Sequence, residues 1–244
     1  MMSKTLGVIN YERSVSLTML APAHSSHVEV NGVSLRLLEW QPDRHDSRPA
    51  IVLVHGLASN ALLWQGVAVE LSSRGHYVVA VDQRGHGRSE KPDGGYDMVT
   101  VTADLAALLD VLSSRGLERP VVAGQSWGGN VVIELAHRNP DKTRGVVAVD
   151  GGFLELSTHF PEWKDCERAL TPPNLLGTPA TRMRDYMRAA HPDWPESGID
   201  GQMGNFEVLE DGTIRPWLSL DRHLQILRGL WEHRPSELFP AITA

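Results

Sequence analysis

Short, uniformly apolar runs punctuate this chain, and between them apolar residues recur every three or four positions. Residues 27–30 and 33–40 flank Asn31-Gly32, a pair that favours the left-handed backbone of a tight turn, so the chain is expected to open with an antiparallel hairpin. Residues 50–54 and 77–81 are apolar without alternation, the pattern of strands covered on both faces, and 120–123 and 145–149 read as two further strands. Between them, Leu63, Val67 and Leu71 predict a helix over 60–74, and Val101, Leu105, Leu108, Leu109 and Leu112 predict a second. Val131, Val132, Leu135 and Ala136 predict a third. Gly75 and Gly116 stand where left-handed caps would close the first two, and Asn139-Pro140 stops the last.

Strands alternating with helices predict an α/β fold, a mostly parallel sheet with helices on both faces. Ligands of such sheets bind beyond the carboxyl ends of the strands, where His55, Asp82, Ser126 and Asp150 all fall. After Gly152 the rhythm is lost and tryptophans and prolines become frequent. There Met183, Tyr186, Met187 and Ala190 mark a short amphipathic helix, and 207–214 reads as a hairpin around Asp211-Gly212. Asp221 is expected to cap a last helix carrying Leu224, Leu227, Leu230 and Trp231. The expected organisation is an N-terminal extension over 1–26, a core over 27–150, a mainly helical lid over 151–235 that supplies pocket walls, and a closing segment over 236–244.

Composition narrows the partners. At 244 residues with 41% hydrophobic content, the chain suits one α/β domain with an insertion. Its 23 Lys and Arg against 30 Asp and Glu give a net charge of -7 without a basic cluster, which argues against nucleic acid or an anionic membrane as partner and for a neutral small molecule. The single cysteine, Cys166, excludes an intrachain disulfide and reads as apolar filler. No apolar run reaches bilayer length and residues 1–26 lack a secretory pattern, so a soluble cytoplasmic protein is expected. No cofactor or metal is called for: the histidines are scattered without ligand spacing, and Gly124 to Gly129 has a better explanation than a phosphate loop.

That explanation is a nucleophile elbow. In Gly124-Gln-Ser-Trp-Gly128 an apolar run leads into the serine and a helical segment follows it. Gly124 and Gly128 stand where a strand turning sharply into a helix leaves no room for a side chain, which presents the Ser126 hydroxyl. The Trp127 N–H, at the start of that helix, is positioned to stabilise an oxyanion.

The order of these pieces resembles the α/β-hydrolase family. His55-Gly56 after the third strand, Asp82-x-Arg84-Gly85-x-Gly87-x-Ser89 after the fourth, and Gly124-x-Ser126-x-Gly128 after the fifth carry the resemblance over 27–150. It implies that Ser126 is a nucleophile and that the amides of Leu57 and Trp127 form the oxyanion hole of an esterase. Serine rather than aspartate at the elbow disfavours the haloalkane dehalogenase and epoxide hydrolase branches. Asp150, ending the sixth strand, either orients the base, as in some members, or caps the Gly151-Gly152 turn. His55, His86, Asp82 and Arg84 fall in loop motifs that the family uses structurally. His159, His191, His223 and His233 are expected at the surface, with His223 or His233 the remote substitute for a base. Met183 and Met187 read as lid core. The family's base follows its last strand, whereas residues 238–244 resemble the lead-in to the seventh, so the base and two strands are expected to be missing, which makes a catalytically silent binding protein the alternative. The sixth strand, apolar at Val146, Val147 and Val149, is then an exposed edge that invites self-association.

Overall fold

A computed structural model describes residues 23–43 and 48–242. The opening hairpin pairs β1 (His24–Val30) with β2 (Val33–Trp40), Val30 opposite Val33. Asn31 and Gly32 both take positive φ, 47° and 72°, as a two-residue turn matched to strand twist requires. The strand begins three residues before the predicted start, so 24–26 belong to the sheet; residues 1–22 of the expected extension lie outside the described residues.

The remaining core strands are β3 (Ile51–Val54), β4 (Val78–Val81), β5 (Val121–Gln125) and β6 (Gly145–Val149). They build a sheet of order β1-β2-β4-β3-β5-β6, antiparallel at the β1/β2 and β2/β4 pairs and parallel elsewhere. The apolar runs of β3, β4 and β5 lack alternation because both faces are covered, whereas β6 is buried at none of its residues. Val52, Val54, Val79, Val81 and Val122 pack on one side with residues of α2 (Met98–Ser114) and α3 (Trp127–Arg138). Leu53, Val78, Ala80 and Ala123 pack on the other with Ala68 of α1 (Gln65–Ser73). The first predicted helix is split: its opening turn, Ala61–Trp64, is a 3-10 turn capped by Asn60, and α1 follows.

At the opposite edge β6 pairs, among the described residues, with β5 alone, and Val147 and Val149 remain 47% and 40% exposed. An unpaired apolar edge of this kind templates a second strand. We expect the 244-residue chain to self-associate in light scattering with increasing concentration, and Val147→Lys to shift it toward monomer; a monodisperse wild-type monomer would refute this.

The segment after β6 carries α4 (Leu156–His159), α5 (Trp163–Leu170), α6 (Ala180–Ala190), α7 (Glu196–Met203), the pair β7 (Phe206–Val208) and β8 (Ile214–Pro216), and α8 (Leu220–Glu232). The hairpin turns through Asp211 and Gly212 as predicted, with Val208 opposite Ile214. The cap of α8 is Ser219 rather than Asp221: Ser219 is extended and its hydroxyl accepts from the Arg222 amide, while Asp221 enters the first turn and accepts from Gln225. Cys166 and Met183 are buried. Residues 235–241 form α9 (Pro235–Leu238) and a 3-10 turn, so the expected strand lead-in is helical as far as the described residues reach. Among the described residues no helix is long and apolar enough to cross a membrane.

Candidate active site

Ser126 stands between β5 and α3 with φ 52° and ψ -121°, a conformation that costs a non-glycine residue about 1–3 kcal/mol and persists only where its surroundings enforce it. The enforcement is steric. A Cβ on Gly124 would lie 2.0 Å from the Gly128 carbonyl oxygen, and one on Gly128 would lie 2.5 Å from that of His55. The Ser126 amide donates to the Val149 carbonyl at 3.0 Å, which fastens the elbow to the end of β6.

The loop after β3 closes over the elbow. A Cβ on Gly56 would sit 3.2 Å from Ser126 Cβ, so Leu57 follows directly on the serine's contact. Neither the Leu57 amide nor the Trp127 amide finds an acceptor among the described residues. For Trp127 this follows from its place as first residue of α3, where the helix supplies no partner. Two backbone donors, one in the residue after Gly56 and one in the residue after Ser126, are thus left without a partner among the described residues.

Residues 82–89 brace this loop. Asp82, fully buried, accepts from the amides of Ala61 at 2.7 Å and Arg88 at 2.9 Å and pairs with Arg36 at 3.3 Å. Arg84 forms a two-pronged ion pair with Asp104 at 2.7 and 3.0 Å. Both residues pin the loop and lie under it, as the sequence suggests. His55 donates through Nδ1 to the Gly56 carbonyl at 2.7 Å and accepts at Nε2 from the Gln83 amide at 3.1 Å. His86 donates through Nδ1 to the Arg84 carbonyl and accepts at Nε2 from the Ala58 amide. Burial holds both imidazoles below the ordinary value of 6.5, His86 well below it, so both are neutral near pH 7. With every ring nitrogen occupied, neither is free to take a proton from Ser126.

Asp150 follows Val149 and so lies beside the elbow, with Gly151 pressed against the Ser126 carbonyl. Its φ is 46°, and its exposed carboxylate has no hydrogen-bond partner among the described residues. It does not cap the Gly-Gly turn: the Gly152 amide donates to Asn130 Oδ1 at 3.0 Å instead. The Ser126 hydroxyl likewise has no partner among the described residues, so no described histidine meets it.

Two histidines expected at the surface are buried, His223 at 8% and His233 at 7% exposure. His223 shares the inward face of α8 with Ile226, Leu227 and Leu230, an i, i+3, i+4, i+7 spacing visible in the sequence. It lines a cavity of about 500 Å³ whose walls include Ala58, Pro172, Leu175, Phe206 and Trp217; Ser126 is not among the lining residues. Burial lowers the His223 pKa. His233, at the C-cap of α8, accepts from Asn130 Nδ2 at 3.0 Å and donates to Glu134 Oε2 at 3.0 Å. That anchoring role was not predicted, and it too leaves no free ring nitrogen. The Trp127 ring is 1% exposed and stacks on His86 at 5.5 Å, so it belongs to the core beneath the site rather than to a pocket wall.

Known proteins share this architecture. A family model described as alpha/beta hydrolase fold matches residues 49–183. The 2-(acetamidomethylene)succinate hydrolase of Mesorhizobium japonicum is 29% identical over 226 residues, which cover 92% of this chain and 77% of that protein. A crystal structure of E-2-(acetamidomethylene)succinate hydrolase superposes with a TM-score of 0.75 at 26% identity, covering 91% of this chain and 78% of that one. Epoxide hydrolase A of Mycobacterium tuberculosis is 37% identical over 125 residues, half of this chain and 37% of its own length. The chain therefore spans most of one curated relative and little more than a third of the other.

Proposed function

Because the chain belongs to the alpha/beta hydrolase fold family, we propose that it is a serine hydrolase, cleaving a small carboxylic ester or related acyl compound through an acyl-enzyme on Ser126. One observation carries the reading: Ser126 is held at φ 52° against Gly56, and the backbone amides of the next residues, Leu57 and Trp127, have no acceptor among the described residues. A serine in that setting would attack a carbonyl and lose its hydroxyl proton to a base, the two amides would hold the resulting oxyanion, and Asp150 would orient that base, which His55, His86 and His233, with both ring nitrogens paired, do not supply. Serine at the elbow keeps the epoxide hydrolase likeness to the scaffold, since that chemistry needs a carboxylate there.

The cavity lies against Ala58, the residue after Leu57, rather than against Ser126, and a substrate extending into it from the serine would be neutral and mostly apolar. Leu175, Leu176, Phe206, Pro216 and Trp217 dominate its walls, and the lining guanidinium, Arg215, is paired with Glu207. The Mesorhizobium relative carries an acetamido group and a succinate in its substrate's name, so amides lie within the proposed acyl class, while a dicarboxylate would want unpaired cations.

A second reading has its own support. His55, His86 and His233 spend both ring nitrogens on other groups, which favours a silent protein that binds ligand without turnover. Incubation with a fluorophosphonate, followed by intact mass, separates the two. Stoichiometric labelling that vanishes in Ser126→Ala is expected, along with turnover of a p-nitrophenyl ester. An unlabelled but folded wild type that binds the ester saturably would replace the first reading with the second.

A further inference from the structure

The two amides of the proposed oxyanion hole come from different parts of the chain, and one buried side chain touches the support of each. His86 is 1% exposed. Its Nδ1 donates to the Arg84 carbonyl at 2.9 Å, which leaves Nε2 unprotonated, and that nitrogen accepts the Ala58 amide at 3.2 Å. Ala58 is the residue after Leu57 and has a φ of 57°, a left-handed conformation that an alanine adopts only under constraint. The turn Gly56-Leu57-Ala58 is thus fixed at both ends, by Ser126 against Gly56 and by the imidazole on Ala58. The other face of the same imidazole stacks on Trp127 at 5.5 Å, with the rings 26° from parallel, and His55 meets it edge-on at 4.8 Å.

We propose that His86 is a positioning residue that sets the Leu57 and Trp127 amides relative to one another, through its bond to Ala58 and its stack on Trp127. The proposal rests on the serine hydrolase reading above. It assigns the loop after β4 a role in the reaction beyond its own stability. Protonated imidazole has no acceptor to offer, so the buried, neutral tautomer fixed by Arg84 is the form this role requires. Arg84 is itself fixed by Asp104, which extends the brace to α2.

The test compares the concentration dependence of fluorophosphonate labelling in the wild type, His86→Phe and His86→Gln. Phenylalanine keeps a ring on Trp127 and loses both hydrogen bonds; glutamine keeps a donor and an acceptor and loses the ring. Losing one oxyanion donor costs about a hundredfold or more, so His86→Phe should lower the maximal labelling rate by about a hundredfold. Its half-saturating concentration should stay within about threefold of wild type, since ground-state binding is untouched. His86→Gln should recover most of the rate. A folded His86→Phe that labels at the wild-type rate, or a folded His86→Gln as slow as His86→Phe, overturns the role of His86 while the hydrolase reading stands. A folded wild type that is not labelled overturns both. Should His86→Phe fail to fold, nitrogen-15 spectra of the wild type decide: protonated Nδ1 with bare Nε2 is expected, and the opposite tautomer or a doubly protonated ring at neutral pH overturns the proposal.

Discussion

Gly124→Ala is expected to leave little folded protein. The added Cβ would lie 2.0 Å from the Gly128 carbonyl oxygen, 2.4 Å from the Gly128 carbonyl carbon and 2.8 Å from the Gly129 amide nitrogen. All three are backbone atoms of the helix that follows the nucleophile, so no rotamer can relieve the contact. Relief would need α3 to move away from β5, and its inward face is packed through Val131, Val132 and Leu135. Overpacking against flexible side chains costs about 1–3 kcal/mol; against fixed backbone at this distance the cost should be about 4 kcal/mol or more. Native domains have about 5–15 kcal/mol in total, so most of the stability would go. Two other glycines separate crowding from torsion. Gly116, with φ 84° and nothing within 4 Å of the place a Cβ would take, should lose only about 1–2 kcal/mol on mutation to alanine, from the backbone alone. Gly66, inside α1 with open space around it, should gain up to about 1 kcal/mol. Urea unfolding midpoints of the three variants check the order Gly66→Ala above wild type, Gly116→Ala below it, and Gly124→Ala lowest or insoluble. A Gly124→Ala protein with a wild-type midpoint would mean that the strand and helix do not approach as described.

The parts of the molecule that could be read in the sequence are those where a local rule meets no competitor. Residues 51–54 and 78–81 announce themselves because a covered strand has no polar face to maintain, and Gly124 and Gly128 because crowded backbone excludes every other residue. The loop ends carrying His55, Asp82, Ser126 and Asp150 follow from that sheet, since parallel strands gather their carboxyl ends on one side. Segments held by distant packing were harder to read. The helices α4, α5 and α7 span four to eight residues, too few to be stable by propensity, and exist because the lid packs around Cys166 and Ile199. His223 was legible and misread: its spacing with Ile226, Leu227 and Leu230 places it on the inward face, against the expectation that a lone histidine faces solvent. The partnership of Asn130 with His233 was not legible, because it joins positions 103 residues apart with no shared pattern.

That partnership ties the segment after β6 onto the core, which gives Asn130→Ala the second large effect. Asn130, fully buried on α3, accepts through Oδ1 from the amides of Gly152 at 3.0 Å and Leu154 at 3.3 Å. Its Nδ2 donates to the Leu154 carbonyl at 2.8 Å and to His233 Nδ1 at 3.0 Å. One amide thus holds the chain just after β6, at 152–154, and again at the end of α8, at 233. Alanine would strip partners from these groups at once, and each buried polar group left unpaired costs about 1–3 kcal/mol. Because water can reach some of them and the terms are not additive, a net loss of about 3–5 kcal/mol is expected, which at this chain length lowers Tm by roughly 10 °C. Proteolysis between 151 and 235 should accelerate more than cleavage in the core, since the chain is released at both ends of that segment. His233→Phe discriminates further. It removes one partner of Asn130 and leaves the bonds to 152–154, so its Tm deficit should be smaller than that of Asn130→Ala, and the double variant should lose less than the sum of the two. Additive deficits would show that His233 and Asn130 are not coupled and that both ends of the segment are held by packing alone.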